Sequence, residues 1–542
     1  MPLTSKDTEA TMFFVIWGLA LLLAFVLYCH KVYTRFSRHG VRSLTPVPIL
    51  GDMARITFRM EHFFENIDRI YNSFPGERFV GSFEFIRPVV FIRDIELVKQ
   101  ITVKDFEHFL DHAVVIDENI DPFFGRNLFA LKGQKWKDMR ATMSPAFTSS
   151  KMRVMIPFMT EAGDHMISRI KRNIMESNKD YYDVDFKDIS TRYSNDVIAS
   201  CAFGLKVDSQ NGTDFEFYEM GKTASQLSVK QVLKFFGFQS FPTLMKLFKT
   251  TLFTEETQNF FRQLVTQTMK ERETKNIYRP DMIHLLIEAK KGNLTHEEDK
   301  TNSADAGLAT VEESSIGKKN NHRVWEDEDL VAQAVIFFVA GFESVSQVMT
   351  FLVYELAFNP DIQDKLAQEI RENDRKNGGK FDYTSIQAMT YLDMVVSELL
   401  RLWTPGGALD RVCTKEYNLG KPNDKATEDY IIRKGEGVRI PTWSFHRDPK
   451  FFPNPTKFDP ERFSEENRHN IQPFTYSPFG MGPRNCIASR FALYEVKVMI
   501  YQLLRHVEIC PSDKTCWPIK LSPSTFNLIM SGGHWIRLKI RE

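Results

Sequence analysis

The chain has 542 residues, and its 70 lysines and arginines balance 70 aspartates and glutamates, so the formal net charge is zero. This balance argues against a nucleic-acid-binding protein, because such proteins usually carry a basic excess. Six cysteines without a C-x-x-C pair indicate neither a disulfide framework nor a zinc site, and they favour a reducing compartment. The 46 phenylalanines suffice for a large core or an apolar ligand pocket.

An apolar stretch at residues 12–29 stands near the start of the chain. As a helix it would rise about 27 Å, which is close to the thickness of the hydrocarbon layer of a membrane. No small-residue cleavage site follows it, so we expect a retained anchor rather than a removed signal peptide. Lys31, Arg35, Arg38 and Arg42 come next, and the positive-inside rule then places the main body in the cytosol.

These features divide the chain into three parts. Residues 1–30 are expected to form an N-terminal membrane anchor helix. Residues 31–51 form a basic, proline-containing elbow, which its prolines stiffen. Residues 52–542 form the main body.

Helical patterns dominate the body from about Trp136 onward, whereas short segments such as 85–92 have β character. The sequence therefore predicts a mainly α fold with small β-sheets (α+β). A polar stretch at 290–323 has little periodicity, and we expect it to be a mobile surface loop rather than a domain boundary.

A long apolar segment at 330–358 follows the acidic residues 326–329 and predicts a helix. It is apolar enough for a second transmembrane span to be considered. Against that interpretation stand Gln333, Glu343, Gln347 and Glu355, because charged groups in particular are costly inside a bilayer. A helix that is apolar on nearly every face also suits the centre of a large soluble domain, and we favour this buried helix.

The most informative motif is a glycine-rich loop with a cysteine near its end, just before a predicted helix. The helix dipole and its free N–H groups favour a thiolate there, which can act as a nucleophile or a metal ligand. The alternative is an ordinary loop whose free cysteine has no functional role. The spacing Phe-x-x-Gly-x-Arg-x-Cys-x-Ala resembles the haem-ligand loop of cytochromes P450, and its positions are occupied by Phe479, Gly482, Arg484, Cys486 and Ala488.

The resemblance makes Cys486 the axial iron ligand, whose sulfur pushes electron density towards bound oxygen. Trp136 and Arg140 look like the family's Trp-x-x-x-Arg, in which the arginine fork grips a haem propionate. Arg411 and Arg484 fit two further propionate partners. Phe479 belongs to the same cofactor-binding set. For each arginine taken singly, a surface role is the alternative.

Within the long helix, Ala340-Gly341-Phe342-Glu343-Ser344 resembles the oxygen-activation segment of the family. Gly341 helps to leave a groove in which a flat ligand can lie against the backbone. The acid Glu343 and the hydroxyl of Ser344 would relay protons to that groove as the catalytic pair. Ser344 stands where the family more often has threonine. Tight packing beside a hydrogen-bonded buried glutamate is the alternative.

Two further motifs are expected to be structural. Glu398 and Arg401 are three residues apart within an apolar helical pattern and look like the family's Glu-x-x-Arg. The family's third member, an arginine, corresponds to Arg462. Such a buried network would stabilise the fold behind the haem and would take no part in the chemistry. His446 is interpreted as a hydrogen-bonded loop residue rather than a ligand.

The chain lacks a G-x-G-x-x-G opening a helix, a P-loop and an H-E-x-x-H motif, so it has no visible nicotinamide or flavin site. Electrons must then come from a partner. The family's donor is the membrane-bound NADPH–cytochrome P450 reductase, and cytochrome b5 is a second candidate. A docking face for an acidic flavin domain, or alternatively a solvated helix face, is predicted at Lys132, Lys135, Lys137, Arg140, Lys151 and Arg153.

These motifs occur in the family's order, and the cysteine loop is most similar to that of insect family-nine (clan three) microsomal P450s. That group resembles the drug-metabolising mammalian family three. The resemblance implies a haem-thiolate monooxygenase with haem b, whose catalytic domain (52–542) lies on the cytoplasmic side of the endoplasmic reticulum membrane. Its expected substrates are hydrophobic small molecules such as plant toxins and insecticides.

The resemblance also places the substrate pocket at residues 106–129, 233–248, 337–343, 404–409 and 525–528. Two rival functions remain open. A haem-thiolate isomerase or dehydratase needs no electrons, although the Glu343-Ser344 pair speaks against it. A membrane-anchored haem carrier or sensor needs neither a reductase face nor an oxygen groove.

Overall fold

Helices make up most of the fold. The computed structural model describes residues 5–212, 215–225, 228–291, 307–311, 324–379 and 381–541. These residues form nineteen α-helices and nine strands, so the prediction of a mainly α fold with small sheets is confirmed. In chain order the helices are α1 (Ser5–Tyr33), α2 (Ala54–Thr57), α3 (Phe63–Asn72), α4 (Ile95–Lys99), α5 (Pro122–Gly125), α6 (Gly133–Met143), α7 (Ser149–Glu176), α8 (Phe186–Ile198), α9 (Phe215–Ser225), α10 (Val229–Ser240), α11 (Pro242–Leu247), α12 (Glu255–Lys275), α13 (Met282–Lys291), α14 (Asp327–Phe358), α15 (Pro360–Lys376), α16 (Tyr383–Gln387), α17 (Thr390–Leu402), α18 (Thr442–Phe445) and α19 (Ser489–His506).

The strands form three small sheets at the edges of the helical body. They are β1 (Phe79–Glu84), β2 (Arg87–Ile92), β3 (Tyr181–Asp185), β4 (Leu409–Val412), β5 (Tyr417–Asn418), β6 (Ile431–Ile432), β7 (Gly437–Ile440), β8 (Val507–Cys510) and β9 (Trp535–Ile540). The largest sheet has the order β1-β2-β7-β4, with β2 parallel to β7 and the other neighbours antiparallel. The others are β3-β9-β8 and β5-β6. Strand β2 lies within the segment predicted to have β character, 85–92, and begins two residues after the start of that segment.

Helix α14 runs through the centre of the body, where it packs against α8, α5, α19 and α17. Its first turn is capped by a box in which Glu326 and Asp329 exchange side-chain to backbone hydrogen bonds. Most of its residues are buried, from Leu330 near the start to Leu356 near the end. Burial on almost every face explains why its sequence is apolar enough to pass for a membrane span, and the structure agrees with the buried helix that we favoured.

The N-terminal helix has the opposite surroundings. Apolar side chains of α1 from Met12 onward are exposed along its length. An 18-residue window within Met12–His39 has a mean hydropathy of 2.5, and the helix is long and apolar enough to cross a membrane. The helix continues to Tyr33, slightly beyond the anchor expected at residues 1–30.

The predicted elbow packs on the body. Phe36 and Val41 are buried in a cluster with the large sheet. Arg35 forms an ion pair with Glu436, with 2.8 Å between Nε and Oε1. The part of the elbow that follows α1 is therefore packed against the sheet and is not a flexible linker.

The polar stretch predicted as a surface loop is described in part. Residues 292–306 and 312–323 lie outside the described residues. Within 307–311, Ala309 is only 3% exposed and belongs to the main apolar core. The expectation of a surface loop is therefore wrong for this short piece.

Candidate functional site

A cavity of about 670 Å³ lies against α14. Each of the five stretches expected to form a pocket contributes to its wall, for example with Phe129, Phe235, Gly341, Leu409 and Phe526. The wall is mostly apolar and includes eleven phenylalanines from distant parts of the chain, which suits a hydrophobic ligand. The phenylalanines that line it are Phe63, Phe124, Phe129, Phe147, Phe235, Phe236, Phe253, Phe337, Phe479, Phe491 and Phe526.

The cysteine loop closes one side of this cavity. The Cys486 N–H donates to the carbonyl of Phe479 at 2.8 Å, and both residues line the wall. Gly482 has φ +66°, and a Cβ there would lie 1.8 Å from the carbonyl oxygen of Thr102, so only glycine fits. Burial raises the pKa of the Cys486 thiol, whereas a backbone hydrogen bond from Ala488 acts to lower it. The loop thus presents a sulfur to the cavity just before α19.

A second, much smaller cavity of about 20 Å³ lies beside the same cysteine. Cys486 lines both cavities, together with different neighbours on each side. Arg140 lines the small one, and its Nη1 and Nη2 donate to the backbone and side-chain oxygens of Asn485, each at 2.7 Å. Arg140 therefore grips the cysteine loop and is not part of the wall of the large cavity.

Two of the predicted cofactor-binding arginines do line the large cavity. Arg484 donates to the carbonyls of Leu110 and Leu131 at 2.8 Å, and its guanidinium lies 4.0 Å from the ring centre of Trp136. Trp136 is buried beneath it and is not in the cavity wall. Burial and the neighbouring Arg411 lower the pKa of Arg484 to about 9, and burial lowers the pKa of Arg411 to about 10. An anion near these two guanidinium groups would stabilise their charged forms.

A buried polar network that the sequence analysis missed surrounds these arginines. The Asp410 carboxylate lies 3.2 Å from Arg439 Nη1 and 3.2 Å from His112 Nδ1, and Arg439 also pairs with Glu84 at 2.7 Å. Burial acts to raise the pKa of Asp410, but Arg439 and His112 hold it well below its usual range. Only the position of Asp410 next to Arg411 could have drawn attention to it, because the other members are far apart in sequence.

The predicted catalytic pair is not brought together at the cavity. Ser344 lines the wall, and its hydroxyl donates to the carbonyl of Ala340 one turn earlier. Glu343 is outside the wall, and its Oε1 lies 3.1 Å from Lys187 Nζ and 2.8 Å from Gln347 Nε2. Consecutive residues on a helix point about 100° apart, so the two side chains cannot face one cavity equally.

Gly341 lies on the wall of the cavity, as expected for a groove against backbone. A side-chain carbon at this position would come within 2.7 Å of Ile198 Cδ1 on α8. Helix packing and access to the cavity therefore both favour glycine here.

The two motifs predicted to be structural are confirmed as a buried network. Glu398 and Arg401 are fully buried and form a two-point ion pair, at 2.7 Å and 2.9 Å. Arg462 Nε lies 3.4 Å from Glu398. His446 accepts the N–H of Ser477 at 2.9 Å, and burial lowers the pKa of this histidine to about 3.

The predicted basic face around α6 is partly neutralised. Lys135 pairs with Glu118 at 2.9 Å, and Lys137 pairs with Glu107 at 2.7 Å. Arg140 is buried against the cysteine loop, as described above. The remaining members of the set are Lys132, Lys151 and Arg153.

Comparison with known proteins agrees with this geometry. The family model described as Cytochrome P450 matches residues 41–533. Cytochrome P450 9e2 of Blattella germanica is 45% identical over 518 residues, which cover 93% of this chain and 94% of that protein. Probable cytochrome P450 9f2 of Drosophila melanogaster is 40% identical and covers 98% of this chain and 99% of its own length.

The chain belongs to the cytochrome P450 family. It is therefore a P450 monooxygenase, and the family implies a haem cofactor, a redox partner and a hydrophobic substrate. A third relative, cytochrome P450 9b2 of Drosophila melanogaster, is 38% identical and covers 92% of this chain and 93% of its own length. The resemblance to insect family-nine P450s is thus confirmed.

The residues of this P450 fit a haem on three observations. Cys486 lines the cavity just before a helix, and cysteine binds a metal ion as the thiolate. The buried Nε of Arg411 has no hydrogen-bond partner among the described residues, which suits a propionate oxygen. Arg411 and Arg484 together supply the positive charge that two carboxylates need.

Proposed function

We propose that this P450 oxidises hydrophobic xenobiotics, such as plant toxins and insecticides, with electrons from NADPH–cytochrome P450 reductase. The observation that carries the proposal is the large cavity, whose wall combines phenylalanines with the Cys486 sulfur and the Ser344 hydroxyl. Similarity to insect family-nine relatives supports this substrate class. Cytochrome b5 is proposed as a second electron donor.

The proposed roles of the residues follow from where they lie. Cys486 would hold the iron of haem b, while Arg411 and Arg484 would bind its propionates and Phe479 would pack against the ring. When bound, haem supplies the activation of dioxygen and the transfer of one oxygen atom to the substrate, the other leaving as water. Gly341 keeps the opposite wall open.

Trp136 and Arg140 are proposed to support the cofactor from behind. The Trp136 ring holds the Arg484 guanidinium at 4.0 Å, and Arg140 fixes Asn485 next to the ligand cysteine. Both residues would therefore orient groups that contact the haem. This role differs from the direct binding of a propionate that the resemblance implies for Arg140.

Ser344 is proposed to hold a proton at the cavity wall, and Glu343 to supply it from the far side of the same helical turn. The Glu343 carboxylate is partly exposed and paired with Lys187 at 3.1 Å. A change of its side-chain rotamer that releases Lys187 would turn the acid towards Ser344.

Replacing Ser344 by alanine is expected to lower product formed per NADPH consumed, because the hydroxyl nearest the cavity is lost. The drop should reach up to about a hundredfold, the lower end of the range for a positioned proton-transfer group. The measurement compares product, NADPH oxidised and hydrogen peroxide released. Ser344→Thr is the matched control and should keep or improve the ratio, because its methyl restricts the rotamer. An unchanged ratio in Ser344→Ala would remove Ser344 from the proposal.

A reconstituted assay tests the function as a whole. Purified protein, reductase, NADPH and an apolar aromatic probe compound should yield a product that carries one oxygen atom from labelled O₂. Omitting the reductase should abolish product formation. Product without reductase or O₂ would favour an isomerase or dehydratase. Binding of haem without any turnover over a broad panel of apolar compounds would favour a haem carrier or sensor.

We further propose that residues 1–30 anchor the protein in the endoplasmic reticulum membrane with the catalytic domain, 52–542, on the cytoplasmic side. The exposed apolar surface of α1 and the basic residues behind it support this orientation. Residues 31–51 would hold the domain close to the membrane.

A second membrane contact is proposed at an apolar patch on the domain. Helices α2 and α10 share one apolar cluster, and exposed apolar side chains follow α2 and occupy α11. The patch consists of Phe58, Met60, Leu244, Leu247 and Phe248, of which Leu247 and Phe248 are 74% and 70% exposed. A group of exposed apolar side chains commonly marks an interaction site.

Removal of residues 1–33 is therefore expected to leave measurable binding to phospholipid vesicles. Adding Leu247→Ser and Phe248→Ser to the truncated protein should weaken that binding at least tenfold, because each side chain contributes about 1.5–3 kcal/mol when fully buried. Sedimentation with vesicles measures the effect. Met175→Ser on α7, where the side chain is 72% exposed, is the matched control and should change nothing. Equal losses in both variants would contradict the patch.

A further inference from the structure

The short segment 307–311 is part of the core although polar sequence surrounds it. Ala309 is buried, and Leu308 packs against the main apolar core. The N–H of Thr310 donates to the carbonyl of Gly307 at 3.0 Å, which makes the segment a tight turn. A chain that merely crosses a surface does not usually bury its side chains in this way.

The segment is fixed to two helices that frame the cysteine loop. The Leu308 N–H donates to Asp393 Oδ2 on α17 at 2.8 Å. Asp393 in turn pairs with Lys497 on α19 at 2.7 Å, and Lys497 is only 3% exposed. Gly307 has φ +117°, and a Cβ there would lie 2.2 Å from Asp393 Oδ1. The anchor therefore requires glycine at its first position.

The end of the segment reaches the ligand cysteine. Val311 lines the small cavity of about 20 Å³ together with Cys486 and Ile487. A cavity needs roughly 10–15 Å³ to hold one water molecule, so this space has room for about one. Cys486 lines both cavities, whereas Val311 lines only the small one.

We propose that Val311, held in place by the hydrogen bond from Leu308 to Asp393, is a positioning residue that limits the space beside Cys486 to about one water molecule and so sets the reduction potential of the haem. The inference rests on the proposed function, because it assumes that Cys486 binds the iron. The isopropyl side chain of Val311 forms part of the wall that keeps this space small.

The direction of the effect follows from electrostatics. One-electron reduction by the reductase makes the iron–thiolate unit more negative by one charge. Polar surroundings and hydrogen bonds to the sulfur stabilise that extra charge, so wetter surroundings raise the potential. An intact Val311 thus holds the potential lower than an exposed sulfur would have.

The test uses the full-length, haem-loaded protein and compares Val311→Ala, Val311→Ser and Val311→Ile. The alanine and serine variants should shift the midpoint potential to more positive values, with serine shifting it further, whereas isoleucine should match the wild type. Val324→Ala is the matched control, since Val324 is 81% exposed at the other end of the same connection. Unchanged potentials in both smaller variants, with thiolate-bound haem retained, would overturn the inference.

A second pair of variants tests the anchor. Gly307→Ala places a methyl against Asp393 and should displace the segment, which shifts the potential in the same direction as Val311→Ala. Gly435→Ala is the control, because Gly435 has φ +91° with no atom within 4 Å of its Cβ position among the described residues. It carries similar backbone strain without the contact and should leave the potential unchanged. A shift of equal size in both glycine variants would show strain alone and contradict the anchor.

Failure of this inference is distinguishable from failure of the proposed function. The inference fails if the potentials stay constant while the reduced, CO-bound spectrum still shows thiolate ligation. The proposed function fails if Cys486→Ala leaves that spectrum intact, whatever the Val311 variants do.

Discussion

Replacing Cys486 by alanine is expected to abolish the thiolate-type absorption band of the reduced, CO-bound protein and all monooxygenase turnover. The reason is that its sulfur is placed at the wall of the large cavity by the Phe479 hydrogen bond and the positive φ of Gly482. The absorption spectrum and the reconstituted assay measure the two losses independently.

Cys201 provides a matched control for this experiment. It is a buried cysteine that also lines the large cavity, but it lies in a helical turn after α8 and outside the cysteine loop. Cys201→Ala should keep both the band and the turnover. If Cys201→Ala lost the band and Cys486→Ala kept it, the iron ligand would be Cys201 and the assignment of the site would be wrong.

Replacing Glu398 by alanine is expected to destabilise the fold by about 3–5 kcal/mol, the usual cost of removing one partner of a buried ion pair. Arg401 would keep its carbonyl contacts to His446 and Pro455, but its charge would have no carboxylate partner in the network. Arg462 would lose its carboxylate contact as well. Chemical denaturation of the haem-loaded protein, followed by circular dichroism, measures the change.

The exposed pair Glu271–Lys275 on α12 is the control for this prediction. Its side chains are 57% and 63% exposed, and it has the same charges at helical spacing. Glu271→Ala should cost about 0.2–1 kcal/mol, the range for exposed pairs. Equal losses at the two sites would mean that the buried network contributes no more than a surface pair.

Local spacing explains which parts of the site the sequence could predict. The cysteine loop places Phe479, Gly482 and Cys486 within eight residues, so chain geometry alone keeps them together. Glu398 and Arg401 are three apart on one helix and necessarily share a face. Burial of the long helix was also predictable, because its apolar residues surround it on every side.

Other parts depend on contacts between distant residues. The partner of Glu343 is Lys187 on α8, and no periodicity in either segment indicates this pairing. His112 and Arg439 contact Asp410, and Glu84 contacts Arg439, only because distant segments of the chain pack together. The buried part of the polar stretch escaped prediction for a different reason. Its five residues, 307–311, are too few to show a pattern within a polar sequence.

The attachment of α1 has a consequence for how the enzyme samples its surroundings. The Tyr33 hydroxyl donates to the carbonyl of Phe85 at 3.3 Å, Arg35 pairs with Glu436, and Phe36 is fully buried. These contacts fix the end of α1 to the domain, so in a bilayer the tilt of this helix would set the tilt of the domain.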